Sequence, residues 1–292
     1  MGYVFNLDDA LRYQRWTRSE PGQSAIEIEK ELLQRLWSPL ASQRVLEVGC
    51  GTGIFLDWFA RLGHQTTGLD PSPDMLNFAR ENLPEKVALD RGFAEDLPYP
   101  DNFFDTVALI TTLEFVDNPH RAVKEACRVA RSHVLVGSLN LYSPMVWTQR
   151  VGSLLRPSVY RHARFYGIWG LRSLFEQVLS GPVPLRWKTC LTLPLNILKY
   201  VRFIERNAYF QCNPLGRFVG MRIDLRYTVQ TLQEPLLTKV LTRAAPDRCQ
   251  VMMIRPPKER KRKRPPANER GAPPSPLPPR PRMEASTTPQ SL

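Results

Sequence analysis

Short apolar runs alternate with stretches of helical periodicity over the first half of the chain. The apolar runs predict strands at residues 44–48, 65–69, 86–89, 104–110 and 133–138. The periodic stretches predict a helix from Ser24 to Trp37, ahead of the first strand, and further helices at residues 53–62, 73–82 and 119–130. Strands that alternate with helices are typical of a parallel sheet with helices on both faces. The pattern therefore predicts a doubly wound α/β fold.

The pattern is less regular after residue 138. A further helix is predicted from Leu171 to Leu179, and two further strands from Leu185 to Leu193 and from Gly216 to Leu225. Residues 227–254 are ambiguous, with a short helix around Leu236 to Leu241 and a strand at Gln250 to Ile254 as the interpretation. We treat this stretch as a C-terminal extension.

The composition changes at Arg255. From there to Leu292 the sequence has eleven prolines, ten Lys or Arg and three Glu. Such a segment buries too little apolar surface to fold, so residues 255–292 are predicted to be a disordered Pro/Arg/Lys-rich tail. The basic run at 258–264 suits an anionic surface such as nucleic acid or acidic lipid, and the prolines suit a polyproline ligand. The tail carries +7 of the formal net charge of +12.

The cysteines and the N-terminus bear on the compartment. Five cysteines lie far apart and form no Cys-x-x-Cys pair: Cys50, Cys127, Cys190, Cys212 and Cys249. This spacing argues against a disulfide scaffold and against a zinc site, so no metal is predicted and a reducing compartment is favoured. The first residues lack a basic stretch followed by a long apolar one, and no run of roughly eighteen apolar residues occurs. We therefore expect a cytoplasmic protein without a signal peptide or a membrane span.

Three alternating glycines follow the first predicted strand. Gly49, Gly51 and Gly53 lie just before a predicted helix, where missing Cβ atoms allow a sharp turn and close approach of a ligand to the main chain. Asp70 ends the next strand, seventeen residues past Gly53. Doubly wound sheets place there the carboxylate that accepts both hydroxyls of a ribose. The arrangement predicts a nucleotide-type cofactor site.

The glycine spacing excludes two common nucleotide motifs. A dinucleotide fold has G-x-G-x-x-G, whereas this chain has G-x-G-x-G with Glu47 two residues before the first glycine. A phosphate loop has Lys after its last glycine, and Ile54 stands there instead. The Glu47 carboxylate would repel a pyrophosphate but attract a cationic amino group or sulfonium. An adenosine-like ligand with a positive end is therefore expected.

Five motifs, in order, resemble those of one family. E-V-G-C-G-T-G at 47–53, D-P-S-P-D-M at 70–75 and A-E-D-L-P-Y at 94–99 are similar to the first three motifs of the class I S-adenosylmethionine-dependent methyltransferases. N-F-F-D-T-V at 102–107 and T-L-E-F-V-D-N-P at 112–119 resemble the next strand and its loop. The resemblance covers roughly residues 20 to 225. Within the family it is to the small-molecule methyltransferases that include quinone-biosynthesis enzymes.

The resemblance implies a Rossmann-like methyltransferase fold, with a seven-stranded, mostly parallel sheet that an antiparallel pair of strands closes. It also implies S-adenosyl-L-methionine as the cofactor. Carried over residue by residue, the cofactor-binding positions are Glu47, Gly49, Cys50, Gly51, Gly53, Asp70, Pro71, Ser72, Met75, Ala94, Glu95 and Thr111.

Two departures from the family pattern stand out. Phe93 occupies a position where the family usually has an Asp near the adenine amino group, which leaves the backbone near Ala94 and the side chain of Glu95 as the polar candidates. A-R-S-H at 130–133 replaces the usual proline-glycine turn before the fifth strand. We interpret this segment as a shortened loop.

Methyl transfer from a sulfonium requires little chemical help, because the cofactor is already activated and in-line positioning supplies much of the rate. A general base is needed only if the acceptor must lose a proton. The candidate bases are His120 at the start of a helix near the cofactor pocket, His162 in the lid region and Glu114 in the loop on the acceptor side.

The acceptor pocket is expected to come from two segments. Tyr13 and Trp16 precede E-P-G at residues 20–22, which we predict to form a turn. This segment of aromatic residues followed by a turn resembles the cap that relatives fold over the cofactor. A lid insertion at about 140–182 combines aromatic and basic residues, among them Arg161 and Tyr166. Such a mixture suits an acceptor that is flat or apolar with an anionic end. The alternative is that the aromatic residues pack in the core and the arginines are solvated.

The favoured hypothesis is an enzyme that transfers a methyl group to a small-molecule acceptor. The alternatives are a methyltransferase acting on RNA or protein, and a non-catalytic module that binds the cofactor or a partner. We divide the chain into an N-terminal helical cap at 1–40, a methyltransferase domain at 41–226, the extension at 227–254 and the tail at 255–292.

Overall fold

The computed structural model describes residues 2–148, 161–194 and 198–225. Within this part, the named helices are α1 Leu7–Arg18, α2 Glu20–Leu36, α3 Ile54–Arg61, α4 Pro73–Asn82, α5 Pro119–Val129, α6 Ile168–Val178 and α7 Leu198–Glu205. The strands are β1 Arg44–Val48, β2 Gln65–Asp70, β3 Ala88–Arg91, β4 Phe104–Ile110, β5 Ala130–Leu139, β6 Leu185–Cys190 and β7 Phe218–Asp224.

The seven strands form one sheet in the order β3-β2-β1-β4-β5-β7-β6. Strands β1 to β5 are parallel, and β7 pairs antiparallel with both β5 and β6. The predicted fold class is confirmed, including the antiparallel closing pair. Because strand order reverses at β1 and β4, the crevice for a ligand lies at the carboxyl ends of these two strands.

Helices cover the sheet closely. In the central strands β1 and β4, residues such as Val45, Leu46 and Val107 are fully buried, as parallel strands with both faces covered require. Helix α2 lies against β7 at Gly220, where a Cβ atom would stand 2.3 Å from Leu32 Cδ2. Glycine at this position lets the helix and the sheet approach one another.

The N-terminal helices differ from prediction at one point. Asn6 caps α1, and its side chain accepts a hydrogen bond from the Asp9 amide while the Asp9 side chain accepts one from the Asn6 amide. Ser19 ends α1 and caps α2, so the expected turn at residues 20–22 is wrong: these residues form the first turn of α2. Pro is tolerated there because its missing N–H would have no helical partner. Gly22 fits because a Cβ atom would meet the Trp16 carbonyl oxygen at 2.0 Å.

Three boundaries in the sheet also differ. The expected loop at 130–133 is wrong, because β5 begins at Ala130 and pairs with β4 from its first residue. The third strand lies at 88–91 rather than 86–89. The strand predicted from Leu185 to Leu193 ends at Cys190, because Leu191 turns the chain with a φ of 59°. Apolar residues continue past the end of β6, whereas β3 ends on Asp90 and Arg91 and β5 begins with the mostly polar run 130–133. Composition alone therefore does not mark these ends.

The predicted extension at 227–254 and the tail at 255–292 lie outside the described residues. No helix within the described ranges is long and apolar enough to cross a bilayer.

Candidate cofactor site

The glycine turn after β1 is shaped by positive backbone angles. Gly49, Gly51 and Gly53 have φ values of 73°, 52° and 82°. The amides of Gly49 and Cys50 donate to the Leu69 carbonyl oxygen at 2.6 and 3.1 Å, which ties the turn to the end of β2. A Cβ atom on Gly49 would stand 2.6 Å from the Thr112 side chain. The turn therefore leaves an open main-chain cradle that requires glycine.

Asp70 holds this turn from the neighbouring strand. Its Oδ2 accepts a hydrogen bond from the Gly51 amide and its Oδ1 one from the Ser72 amide, both at 2.9 Å. Ser72, not Asp70, caps α4 by accepting from the Met75 amide at 3.2 Å. Burial raises the pKa of the Asp70 carboxyl, and the two amide donors oppose this shift. Each oxygen keeps a lone pair for a further donor such as a ribose hydroxyl.

Glu47 is the second carboxylate of the site. It is only 2% exposed, and its Oε2 has no hydrogen-bond partner among the described residues. Burial raises its pKa well above 4.5, and the nearby Lys30 opposes this shift. A buried acceptor atom without a donor costs free energy until a ligand supplies one. The site therefore fits a ligand with a cationic amino group.

The pocket at this crevice is largely apolar. It is lined by the N-terminal segment and by residues at the carboxyl ends of β1, β2, β3 and β4. Around Glu47, Gly49, Gly51 and Asp70, its wall includes Gly2, Tyr3, Val4, Phe5, Tyr13, Cys50, Ile54, Phe55, Leu69, Pro71, Met75, Phe93, Ala94, Glu95, Ile110, Thr111, Thr112, Phe115 and Val116.

Residues 2–5 close one side of the pocket. The Tyr3 amide donates to the Phe115 carbonyl oxygen at 2.9 Å, and the Ser72 hydroxyl donates to the Phe5 carbonyl oxygen at 2.6 Å. The Phe5 ring meets the Phe115 ring edge to face at 4.9 Å between centroids. Sequence reasoning missed this segment. The available signal was the short apolar run Y-V-F directly before the helix cap Asn6.

Comparison with known proteins agrees with this geometry. Residues 46–136 match a family model described as a methyltransferase domain. An uncharacterized methyltransferase of Mycobacterium bovis is 38% identical over 112 residues, which are 38% of this chain and 42% of that protein. A 2-methyl-6-phytyl-1,4-hydroquinone methyltransferase of Oryza sativa is 36% identical over 115 residues, which are 37% of this chain and 32% of that protein. The chain thus spans less than half the length of these curated relatives.

A solved structure extends the likeness to the fold. The possible histamine N-methyltransferase of Thermotoga maritima superposes with a TM-score of 0.58 at 24% identity, over 75% of this chain and 97% of that one. The chain contains a class I S-adenosylmethionine-dependent methyltransferase domain. The expected family, and S-adenosyl-L-methionine as its cofactor, are confirmed for this domain.

The methyltransferase domain brings most of the predicted cofactor residues to one wall. Those that line the pocket are Glu47, Gly49, Cys50, Gly51, Asp70, Pro71, Met75, Ala94, Glu95 and Thr111, together with Tyr13 from the expected cap. Three others lie behind the wall. Ser72 is fully buried as the cap of α4, Gly53 faces Leu83 of the segment after α4, and Trp16 packs against the core under α2.

Phe93, the departure from the family pattern, lines the pocket of the methyltransferase domain. Glu95 accepts hydrogen bonds at its Oε1 from the amides of Asp117 and Asn118, at 2.8 and 3.2 Å. It thereby joins the loop after β3 to the loop after β4. Leu113, next to the pocket in sequence, is buried in the core instead.

The three candidate bases of the methyltransferase domain stand apart from this wall. His120 is exposed in the first turn of α5. His162 stacks on Tyr3 with ring centroids 4.4 Å apart. Glu114 is fully buried, and its Oε1 accepts from the Ser138 hydroxyl at 2.8 Å and the Leu139 amide at 2.7 Å. Burial raises the pKa of Glu114 to about 7.

The substrate candidates from the lid lie beside the pocket rather than on its wall. Tyr166 packs against the core, and its backbone bridges to Asn140 at the end of β5. Arg161 is exposed. Part of the expected lid, residues 149–160, lies outside the described residues. Among the residues that are described, no group of three or more His, Cys, Asp or Glu is arranged to hold a metal ion.

Proposed function

We propose that this protein transfers the methyl group of S-adenosyl-L-methionine to a small-molecule acceptor. The observation that carries the proposal is the pocket itself, whose lining combines Glu47, Gly49 and Asp70 with a largely apolar surface that includes several aromatic side chains. An apolar wall with few polar groups is typical of small-molecule sites. The Oryza sativa relative, named for a hydroquinone substrate, supports a flat acceptor for this chain as well.

The cofactor is held, in this proposal, by groups at the ends of three strands. Asp70 accepts the ribose hydroxyls with the lone pairs that the Gly51 and Ser72 amides leave free. The unpartnered Oε2 of Glu47 accepts from the amino group of the methionine moiety. The Phe93 ring and the backbone near Ala94 border the adenine, which places an apolar contact where relatives have a carboxylate.

The bound cofactor supplies an activated methyl group, so the chain's task is to orient the acceptor and exclude water. The Phe5 and Phe115 rings, in edge-to-face contact, contribute apolar surface to the pocket wall. Tyr3 is a poor base at neutral pH, because burial and its hydrogen bond to Asp9 raise its pKa to about 12. Positioning by these residues is therefore proposed to dominate, with His162, which contacts Tyr3, as the nearest candidate to accept a proton.

The location of the protein and the kind of acceptor are proposed from the sequence. The proposed location is the cytoplasm, and the proposed acceptor is apolar or carries an anionic end.

Calorimetric titration with S-adenosyl-L-methionine and S-adenosylhomocysteine tests the proposal. We expect binding of both ligands, and we expect Asp70→Ala to weaken it at least about tenfold, because each lost charge-assisted hydrogen bond contributes roughly 1.5–3 kcal/mol. Asp96→Ala is the matched control, since Asp96 is an exposed carboxylate outside the pocket wall. Equal affinities of the wild type and Asp70→Ala would refute the ribose assignment.

Methyl transfer is then measured by release of S-adenosylhomocysteine over a panel of phenols, hydroquinones, amines and carboxylates. Turnover of a small molecule supports the proposed class. Cofactor binding without turnover of any panel member, but with methylation of added RNA or protein, would contradict it.

A further inference from the structure

Three aromatic side chains form an exposed surface at the end of β5 and the start of α6. Tyr142, Trp147 and Trp169 are 38%, 51% and 53% exposed. The Tyr142 and Trp169 rings meet edge to face at 5.2 Å between centroids. The Trp147 indole Nε1 donates to the carbonyl oxygen of Leu141, the neighbour of Tyr142, at 2.9 Å. We call these three residues the aromatic patch.

The aromatic patch is held in place by the backbone beneath it. The Tyr142 ring packs directly on Gly167, where a Cβ atom would stand 2.2 Å from the ring. The Tyr142 amide donates to the Asn140 side chain at 3.1 Å, and Asn140 is itself fully buried. A contiguous exposed apolar surface, unlike a single exposed side chain, marks an interaction site.

Two exposed arginines lie close to the aromatic patch along the chain. Arg161 and Arg164, which precede Trp169, are exposed. Such a segment attracts an anionic surface through its field, and the attraction is screened by salt.

Tryptophan and tyrosine beside arginine are the residues that favour a lipid–water interface. Their rings enter the headgroup layer while their polar groups stay hydrated, and juxtamembrane basic residues bind anionic headgroups. We propose that the aromatic patch and its neighbouring arginines dock this protein on an anionic phospholipid bilayer. The proposal does not depend on methyl transfer, because it concerns a surface outside the cofactor pocket.

The position of the aromatic patch relates docking to the pocket. The segment from 161 to 169 carries His162, which stacks on Tyr3 of the pocket wall, and the Arg164 amide donates to the Glu114 carbonyl oxygen at 2.8 Å. The patch thus lies on the same carboxyl edge of the sheet as the pocket. Docking through the patch therefore brings this edge of the sheet to the bilayer surface.

Vesicle flotation of the full-length chain tests this proposal. The probes are vesicles of phosphatidylcholine alone and of phosphatidylcholine mixed with phosphatidylglycerol. We expect binding to the mixed vesicles that weakens with added salt, and a loss of at least about tenfold in affinity for the double variant Trp147→Ser/Trp169→Ser, from the apolar area withdrawn from water. The matched control is Phe203→Ser/Tyr209→Ser, which removes two exposed aromatic side chains elsewhere.

Calorimetry with S-adenosylhomocysteine on every variant shows that the pocket is intact, so a failure of docking and a failure of the proposed function are separate results. Quenching of tryptophan fluorescence by brominated lipid in the wild type, reduced in the tryptophan variant, supports the proposal. Three results overturn the proposal. The first is that the wild type does not bind either kind of vesicle, and the second is that the tryptophan variant binds them as the wild type does, because the basic tail alone supplies the binding. The third is that the wild type is a dimer and the tryptophan variant is a monomer. The last would make the patch a contact between copies.

Discussion

The Ser72 hydroxyl donates a hydrogen bond to the Phe5 carbonyl oxygen at 2.6 Å while its oxygen accepts from the Met75 amide as the cap of α4. One side chain therefore joins the start of α4 to the segment that closes the pocket. Ser72 lies two residues after Asp70, and the Asp70 carboxylate accepts a hydrogen bond from the Ser72 amide. Capping and pocket closure are thus coupled at a single residue.

We expect Ser72→Ala to lower both stability and cofactor affinity. Loss of the cap costs about 1 kcal/mol of unfolding free energy. Loss of the bond to Phe5 releases residues 2–5 from the pocket wall, so the affinity for S-adenosylhomocysteine falls as well. Thermal unfolding and calorimetry measure the two effects.

The matched control for this prediction is Asn118→Ala. Asn118 caps α5 by accepting from the Arg121 amide at 3.0 Å, and its side chain makes no hydrogen bond to residues 2–5 within the part of the chain that the structure describes. It should lose similar stability and keep its cofactor affinity. If both variants bound the cofactor as the wild type does, closure of the pocket by the Phe5 contact would be disproved.

Gly49 and Gly63 form a matched pair for the glycine turn. Both have positive φ, 73° and 86°, but a Cβ atom on Gly49 would collide with Thr112, whereas one on Gly63 would meet nothing within 4 Å. Gly63→Ala should cost roughly 1–2 kcal/mol of stability from backbone strain alone and leave cofactor binding unchanged. Gly49→Ala should cost more and abolish binding, because Thr112 must move into the cradle.

Denaturant titration and calorimetry of both variants check this prediction. Cofactor binding by Gly49→Ala at wild-type affinity would show that the close approach of main chain and ligand at this turn is not required.

Glu114 should make stability depend on pH. Burial raises its pKa in the folded state from 4.5 to about 7, so the folded chain binds this proton more tightly than the unfolded chain. The associated stabilisation is complete below about pH 4.5 and is lost as the pH rises through about 7, an effect on the order of 3 kcal/mol. Glu114→Gln keeps an oxygen for Ser138 and Leu139 and removes the titration.

Unfolding free energies of the wild type and Glu114→Gln across this pH range test the sign. The difference between them should grow in favour of the variant as the pH rises, and Glu81→Gln, at an exposed position of α4, should show no such trend. A difference that stayed constant with pH would mean that Glu114 does not titrate in this range.

Much of the sheet was predictable because its signals are local. Strands β1 and β4 lie where the apolar runs place them. Helix α4 begins and ends as predicted, because Ser72 and Pro73 give a cap and a first helical residue in sequence. The glycine turn and Asp70 were also predictable, because these residues lie close together in the sequence and their spacing can be read directly from it.

Other features were not local. The residues 20–22 have turn composition, yet contacts with Trp16 and the cap at Ser19 place them in α2. The mostly polar run A-R-S-H at 130–133 hid the start of β5, because only pairing of Ala130 with Phe104 shows that the strand begins there. The exposed position of Trp147 and Trp169 depends equally on how the segments around them pack.

The sequence by itself determined the glycine turn and the carboxylate beside it, because a turn with fixed backbone angles requires glycine at given spacings. The resemblance of its ordered motifs indicated the family and the cofactor. Only the tertiary structure decided what closes the pocket and which carboxylate can reach it. Residues 2–5 meet Phe115 and Ser72 across more than sixty positions of chain, and Glu114 turns inward to the Ser138 hydroxyl and the Leu139 amide at the end of β5. Such contacts arise from packing between distant segments, which no local pattern specifies.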